Sequence, residues 1–363
     1  QIRIAQAYGS GDRVFLKSAL LIGLTINVSV ILVGLALLGL GAGAIIDGLA
    51  HDAWIAAGAR QYLSVFAIVI LAEAVGQCLT AFFNGCGNTR LPALSYLVAV
   101  PVNILASVIL IHGLFGAPAL GVLGAALGSH RALLSLPGWR NGTFGASLRR
   151  HLVFSLPIAA TFASATVAMN ICGLIYATLP VNQFAAMTII MPWVQVAGTI
   201  GMCWAQATGI FVAQLLGRSA PEEVLDPFLS RCWRVAFLAA AAVSVIYAGV
   251  CLSTPWIYSE LHPETKATLL AFLPILLVLP FPKGSNAICG NTLRAGGETV
   301  YVMHVFVWSQ WLFRVPATAL MVLYLDVSVV WVFTLLLAEE LVKLAPFHLR
   351  MHRGAWKRGT LPE

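Results

Sequence analysis

Long apolar runs separated by short polar or charged segments dominate the chain. A helix needs about 20 apolar residues to cross the hydrocarbon core of a bilayer, and these runs reach or approach that length. They are too long and continuous for the strands of a barrel, so we interpret them as membrane-spanning helices. The predicted spans are 18–46, 61–83, 91–112, 152–179, 182–215, 235–257, 267–289, 300–323 and 327–346.

A tenth segment, 117–136, is a weaker candidate because Arg131 lies in its second half. An arginine near the middle of a span costs about 2.5–3.5 kcal/mol on insertion scales. The loop charges nevertheless favour a crossing there. With residues 1–17 inside and ten crossings, 16 of the 21 basic residues fall in cytoplasmic segments, as the positive-inside rule predicts. Without this crossing, the basic loop 131–151 lies on the opposite face of the membrane.

The composition agrees with a membrane protein and excludes several other classes. Of 363 residues, 60% are apolar and 10% are charged, and the mean hydropathy is +0.89. Soluble domains carry about 25% charged residues, so this chain cannot solvate a soluble surface, and it is neither disordered nor a disulfide scaffold. We assign the net charge of +7 to the cytoplasmic loops of a bacterial inner-membrane protein, and not to nucleic-acid binding. Seven scattered cysteines form no C-x-x-C pair, so we expect packed small residues and no metal site.

An internal repeat divides the chain into two similar halves. The motif A-Q-x-x-G occurs twice, and Gln6 and Gln214 are separated by 208 positions. Farther on, NGCGNT is echoed by RAGGET, with Gly87 and Gly297 separated by 210 positions. Both motifs fall on the inside face in each half, which predicts parallel repeats. Two spans precede the first motif in the second half and none precede it in the first, so the full plan has twelve spans in two bundles of six.

The predicted fold is therefore an all-α, polytopic integral membrane protein with about ten of twelve helices. The predicted domains are an incomplete N-terminal lobe over 1–136, a basic cytoplasmic linker over 137–151, a six-helix C-terminal lobe over 152–346 and a basic cytoplasmic tail over 347–363.

Four further motifs carry a family resemblance: FFNGCGNTRLPAL at 82–94, LIHGLFGAPALGVLGAALGS at 110–129, SLPIA at 155–159 and TLRAGGET at 292–299. With them, the chain resembles the multidrug and toxic compound extrusion (MATE) transporters. The resemblance implies a two-lobed secondary active antiporter, working by alternating access. It would export organic cations or other amphipathic molecules in exchange for sodium ions or protons, with no other cofactor, as a monomer in the lipid bilayer.

The chain also departs from the family pattern. The first two helices are absent, and many members carry an important acidic residue in the first. Some members have acidic residues in the seventh and tenth helices, whereas here 152–179 has none and the tenth-helix position is Lys283. A flippase or exporter of lipid-linked saccharides and a truncated, inactive relative are therefore alternatives. A membrane-embedded enzyme is disfavoured because the chain contains neither D-D-x-x-D nor H-E-x-x-H.

Glu73 and Lys283 are ionisable residues inside predicted spans, which makes each a functional candidate because such charges are costly in a bilayer. They are 210 positions apart, so they occupy equivalent positions in the two lobes. In one interpretation, Glu73 binds a proton or a cationic substrate and Lys283 tunes its pKa. In the other, the two form a structural ion pair that locks the lobes in one state. The sequence leaves both open.

Four other charged positions lie in the last two spans: Arg314, Glu339, Glu340 and Lys343. Arg314 is next to the helix-kinking Pro316 and could line a polar path, but contact with freed backbone carbonyls is favoured. Glu339 and Lys343 have the i, i+4 spacing of a helical salt bridge and lie late in the last span, where a structural role is favoured.

The uncharged candidates are Gln77, Asn103, Trp204 and Gln206. Amides within spans line cavities or join helices through hydrogen bonds, and the second role is more common. Aromatic rings stack on flat cations, and we expect Trp204 and Gln206 to form a lining pair. The segment LPFPK at 279–283 predicts a break in its helix, because proline removes a backbone hydrogen bond.

Overall fold

In the computed structural model, the described residues are 1–49, 53–94, 97, 101, 144–257 and 261–358, and they are almost entirely helical. The chain divides into two compact units, with the boundary between Leu152 and Val153. The predicted span 117–136, most of 91–112 and the first part of the linker, 137–143, lie outside the described residues. The rest of the linker is the start of a helix, Phe144–Tyr176.

The N-terminal unit begins with three helices: α1 Ile2–Ser10, α2 Arg13–Leu49 and α3 Ala53–Gly85. The Asp12 carboxylate starts α2, because its Oδ1 accepts hydrogen bonds from the backbone N–H groups of Val14 and Phe15, both at 2.9 Å. Helices α2 and α3 pack together, and the Asn27 amide on α2 donates to the carbonyl oxygen of Ala74 on α3 at 2.8 Å. The same amide also donates to the Cys78 thiol at 3.2 Å, so partly buried polar contacts help to set the register of two largely apolar helices.

The remaining helices build the C-terminal unit, which α4 enters across the boundary. They are α4 Phe144–Tyr176, α5 Val181–Gly217, α6 Glu222–Ile257, α7 Pro263–Val278, α8 Pro280–Ala295, α9 Thr299–Tyr324 and α10 Val329–His352. A 3₁₀ turn, Ala355–Arg358, follows α10. The main apolar core lies among α4, α5, α6, α7 and α10, where the rings of Phe272 and Phe333 stack 4.1 Å apart. This core holds the helices that carry the charged side chains.

Within the described residues, five helices are long and apolar enough to cross a bilayer: Arg13–Gly43, Leu148–Tyr176, Val181–Gly217, Glu222–Thr254 and Thr299–Tyr324. Helices α7 and α8 add a sixth if they form one bent span. These segments match six of the predicted runs. Part of α3, Val69–Gly85, is a shorter apolar helix.

The break predicted at LPFPK is confirmed. Helices α7 and α8 meet at Leu279 with a bend of 43°. Pro280 and Pro282 lack the N–H groups that would continue the hydrogen-bond ladder, which explains the position of the bend. In the first half, the equivalent helix α3 is continuous.

The internal repeat is visible in the backbone. Gly11 and Ser219 end α1 and α5 with positive φ angles of 76° and 53°, and they are 208 positions apart. Helix α3 spans 53–85 and the α7–α8 pair spans 263–295, so both ends repeat after 210 positions. Gly87 and Gly297 follow these ends with φ angles of 78° and 92°. The protein is therefore an all-α membrane protein built from two repeated helical bundles.

Candidate functional site

Charged side chains meet inside the C-terminal unit on α10. The Lys343 ammonium lies 3.2 Å from Oε1 of Glu339 and 2.8 Å from Oε1 of Glu340. The predicted i, i+4 salt bridge is thus confirmed. Helix α10 continues to His352, and the exposed fractions of Glu339 and Lys343 are only 4% and 2%. Their expected position near the cytoplasmic end of the span stays a prediction. Buried charges are costly unless they are paired, and the pairing within this cluster explains how it is accommodated in the bundle interior.

Two neighbouring helices complete the cluster. From α9, Nη1 of Arg314 lies 3.2 Å from Oε2 of Glu339. From α8, the Asn286 amide donates to the backbone oxygen of Glu340 at 2.7 Å and to its Oε2 at 2.8 Å. The expectation that Arg314 contacts carbonyls freed by Pro316 is replaced by this ion pair. Arg314 ends a π-helical turn, Ser309–Arg314, a distortion often found at functional sites.

Lys283, on α8, stands apart from these pairs. It lines a cavity of about 30 Å³ between α5, α6 and α8. A Cβ atom built on Gly198 would lie 3.3 Å from its Nζ, so helix α5 approaches the ammonium closely. Among the described residues, no ion pair of 4 Å or less includes Lys283. The carboxylate of Glu340 attracts the Lys283 ammonium from beyond that distance, and the positive charges of Lys343 and Arg314 repel it.

In the N-terminal unit, Glu73 and Gln77 lie one turn apart on α3. The Gln77 amide donates to Oε1 of Glu73 at 2.6 Å, and both residues are exposed. An exposed carboxylate midway along an apolar helix is unusual, because the bilayer interior disfavours it. Glu73 and Lys283 belong to different units, so a contact between them stays a prediction.

Trp204 and Gln206 do not form a lining pair. The indole N–H of Trp204 donates to the carbonyl oxygen of Cys232 on α6 at 2.9 Å, and its ring packs on a core cluster with Ala236 and Ile288. Gln206 is exposed. Residues two positions apart on a helix point in nearly opposite directions, which explains why both cannot line one surface. Asn103 lies outside the described residues.

Sequence reasoning placed Glu340 late in the last span without a partner and did not identify Asn286. The available signal was the presence of three charged residues in one predicted span, which is costly unless they pair. The missing information was the rotation of α8 and α9 about their axes, which brings Asn286 and Arg314 toward α10.

Comparisons with known proteins were made by family, sequence and structure. A family model described as MatE matches residues 1–109 and 157–320. A probable multidrug resistance protein NorM from Bradyrhizobium diazoefficiens is 24% identical, over 91% of this chain and 75% of its own length.

Solved structures support the same fold. One is an outward-facing multidrug resistance MATE family transporter of the MOP superfamily, with a TM-score of 0.80, 16% identity, and coverage of 98% of this chain and 82% of its own. Another is the eukaryotic MATE transporter AtDTX14, with a TM-score of 0.81, 16% identity, and coverage of 99% and 83%. At these identities the likeness concerns the fold alone.

Proposed function

The chain belongs to the MatE family and is a multi-pass membrane transporter and not an enzyme, and we propose that it is a secondary active antiporter. In this proposal it exports organic cations or other amphipathic compounds in exchange for sodium ions or protons. The observation that carries the proposal is the exposed carboxylate of Glu73 within the apolar helix α3. A charge facing lipid costs about 2.5–3.5 kcal/mol, so Glu73 is better explained by a water-filled path.

Glu73 has the chemistry that exchange requires. A single carboxylate binds a proton, a sodium ion or an organic cation, but only one at a time. Because the coupling ion and the cationic substrate compete for one group, one must leave before the other binds, and the two are carried in opposite directions. The hydrogen bond from Gln77 orients Oε1 of Glu73, which leaves Oε2 to meet the incoming cation.

The C-terminal unit would supply the framework and the moving part. The ion pair between Arg314 and Glu339 holds α9 beside α10, and the hydrogen bond from Asn286 to Glu340 holds α8 there. The bend between α7 and α8 offers a place where the helix axis can change direction during alternating access. We further propose a monomer in the inner membrane of a bacterium, with its basic loops on the cytoplasmic side and no role in nucleic-acid binding.

The test is dye uptake by inside-out vesicles from cells that express this chain, with sodium and proton gradients imposed in turn. An exporter moves the dye into such vesicles. We expect uptake under at least one gradient, and we expect Glu73→Gln to abolish it. The matched control is Glu223→Gln, which makes the same change at an exposed position in the first turn of α6.

Two results would contradict the proposal. One is equal uptake by the Glu73→Gln variant and the unchanged protein, since the carboxylate would then be dispensable. The other is no gradient-dependent uptake of any cationic dye, with the protein confirmed in the membrane. The second result would favour an inactive relative or a different substrate.

A lipid flippase is the second candidate, and Lys283 is the observation that favours it. A transporter of anionic lipid head groups needs cations along its path, and the other candidate cation, Arg314, is already paired with Glu339. Proteoliposomes that contain a fluorescent anionic lipid distinguish the two functions, because a flippase exposes inner-leaflet probe to a membrane-impermeant quencher and a drug antiporter does not.

A further inference from the structure

The charged cluster of the C-terminal unit has one cation more than it has carboxylates. The cations that act together there are Lys283, Arg314 and Lys343, and the carboxylates are Glu339 and Glu340. Both carboxylates are already engaged at 3.2 Å or less by Arg314 or Lys343. Within the described residues, Lys283 is the basic side chain of this group with no carboxylate within 4 Å, so in its protonated form it holds the surplus positive charge. A charge in such a place is expensive without a close counter-ion.

The space beside Lys283 is small and accessible. Its walls are mostly glycine and alanine, so bulky side chains do not shield the ammonium: Gly198, Gly201, Ala236, Ala240, Gly284 and Ala287. The cavity volume of about 30 Å³ has room for about one or two water-sized particles. The other polar group in the wall, the Tyr247 hydroxyl, donates its hydrogen to the carbonyl oxygen of Val194 at 2.9 Å. Lys283 is thus the group in this wall with hydrogens available to an anion.

We propose that the cavity beside Lys283 binds a small monovalent anionic group, either chloride from solution or the carboxylate of an amphipathic solute. The ammonium supplies charge and hydrogen-bond donors, and the cavity volume selects a compact anion. The proposal goes beyond export of cations, because it adds a site for negative charge in the C-terminal unit.

The test is thermal unfolding of the purified full chain in detergent, followed through its ten tryptophans. Sodium chloride is compared with sodium isethionate, a bulkier monovalent anion without a carboxylate, at equal ionic strength, and sodium benzoate is compared with neutral benzamide of similar shape. Anything that binds the folded state raises the melting temperature in a saturable way. We expect such a rise with chloride, with benzoate or with both, and the two comparisons identify the source of the anionic group.

Lys283→Met is expected to remove the anion-dependent rise, and Lys283→Arg to retain it. Lys17→Met, the same change at an exposed position on α2, is the matched control and is expected to respond as the unchanged protein does. The proposal is overturned if neither anion shifts the unchanged protein, or if Lys283→Met responds fully.

A second variant tests the cavity separately from the charge. In Gly198→Ala the new Cβ lies 3.3 Å from the Lys283 ammonium and occupies part of the binding space. We expect weaker anion binding with the lysine still present, whereas Gly249→Ala, where the new methyl meets open space, leaves binding unchanged. Full binding by Gly198→Ala would contradict a site in this cavity. Because no gradient is involved, failure of the antiport proposal would not affect either readout.

Discussion

At the scale of single residues, the carboxylate of Glu339 has the most demanding position. It lies 3.2 Å from both Arg314 and Lys343 in the interior of the C-terminal unit. Glu339→Gln keeps the shape but leaves two buried cations short of a counter-charge. Breaking a buried ion pair in this way costs about 3–5 kcal/mol. We therefore expect a loss of that order in the free energy of unfolding, measured by denaturant titration in mixed micelles.

The control for Glu339→Gln is Glu223→Gln, whose side chain is exposed. A surface substitution of this kind changes the free energy of unfolding by no more than about 0.5 kcal/mol. Equal unfolding free energies for the two variants would show that the ion pairs of α10 do not stabilise the fold.

The two glycines of the RAGGET motif have different roles. A Cβ at Gly296 would lie 2.5 Å from the backbone oxygen of Trp356, so Gly296→Ala must displace the 3₁₀ turn after α10. Overpacking of this kind costs about 1–3 kcal/mol. Gly297 has a φ of 92°, and Gly297→Ala strains the backbone by about 1–2 kcal/mol without a clash.

Fluorescence from the buried Trp356 separates these two effects. In a variant that keeps Trp356 as the single tryptophan of the ten, we expect a red shift in emission for Gly296→Ala and a lower melting temperature without a spectral shift for Gly297→Ala. Gly249→Ala is the control, since its new methyl group meets open space. A Trp356 spectrum that is unchanged in Gly296→Ala would disprove the close approach.

At the scale of the element, a salt bridge ties the C-terminal turn to the start of α6. The Lys357 ammonium lies 3.0 Å from Oε2 of Glu222 and 2.8 Å from Oδ1 of Asp226. The hydrogen bond to Asp226 raises the pKa of Lys357 above its ordinary value. A raised pKa means that this stabilisation is fully present below about pH 10.4 and is lost as the pH rises through the folded-state pKa.

We expect Lys357→Met to lower the free energy of unfolding by at most about 1 kcal/mol, because the partners are solvent-exposed. The difference from the unchanged protein should be constant between pH 7 and pH 9 and should shrink at higher pH and at high salt. Unfolding titrations across that range measure it. A difference that grows with pH would have the wrong sign for this salt bridge.

The bend between α7 and α8 leads us to predict that this span changes direction during transport. Replacing both Pro280 and Pro282 by alanine restores two N–H donors and should straighten the span. We expect a higher melting temperature together with slower dye transport, since a continuous helix resists a change of direction. Pro192→Ala, within the continuous helix α5, is the control. Unchanged transport in the double variant would mean that the bend is static.

The same helices show how far sequence alone could go. Six of the predicted spans, the repeat and the break at 279–283 depend on composition along the chain, and these were predicted correctly. The predicted run 327–346 forms α10, which is not among the helices long and apolar enough to cross a bilayer. The direction in which each side chain points from its helix was not predicted, as Trp204 and Gln206 show. In a soluble helix the polar face identifies solvent, but here lipid and protein core are both apolar, so no stripe distinguishes the two sides. The burial of Lys343 was missed for the same reason.

At the scale of the whole molecule, the two repeats keep their helix bounds and differ in their chemistry. Glu73 on the continuous helix α3 corresponds to Lys283 next to a bend. Equivalent positions thus carry opposite charges, one exposed and one lining a small cavity. If the two proposals hold, one repeat carries a site for a cation and the other a site for an anion.

The number of crossings is the last prediction and concerns the membrane topology. With ten crossings, the linker 137–151 is cytoplasmic. Fusions made after Arg140 should therefore fluoresce with green fluorescent protein and lack alkaline phosphatase activity. Fusions after Arg60, in a predicted outside loop, should behave in the opposite way and serve as the control.

Phosphatase activity after Arg140 would mean that 117–136 does not cross the membrane. The basic residues of 137–151 would then face outward, against the positive-inside rule. The second A-Q-x-x-G motif, at 213–217, would also lie on the opposite side of the membrane from the first, so the repeats would be inverted. Parallel repeats require the cytoplasmic result, because Gly11 and Ser219 end corresponding helices with the same backbone turn and should lie on the same face.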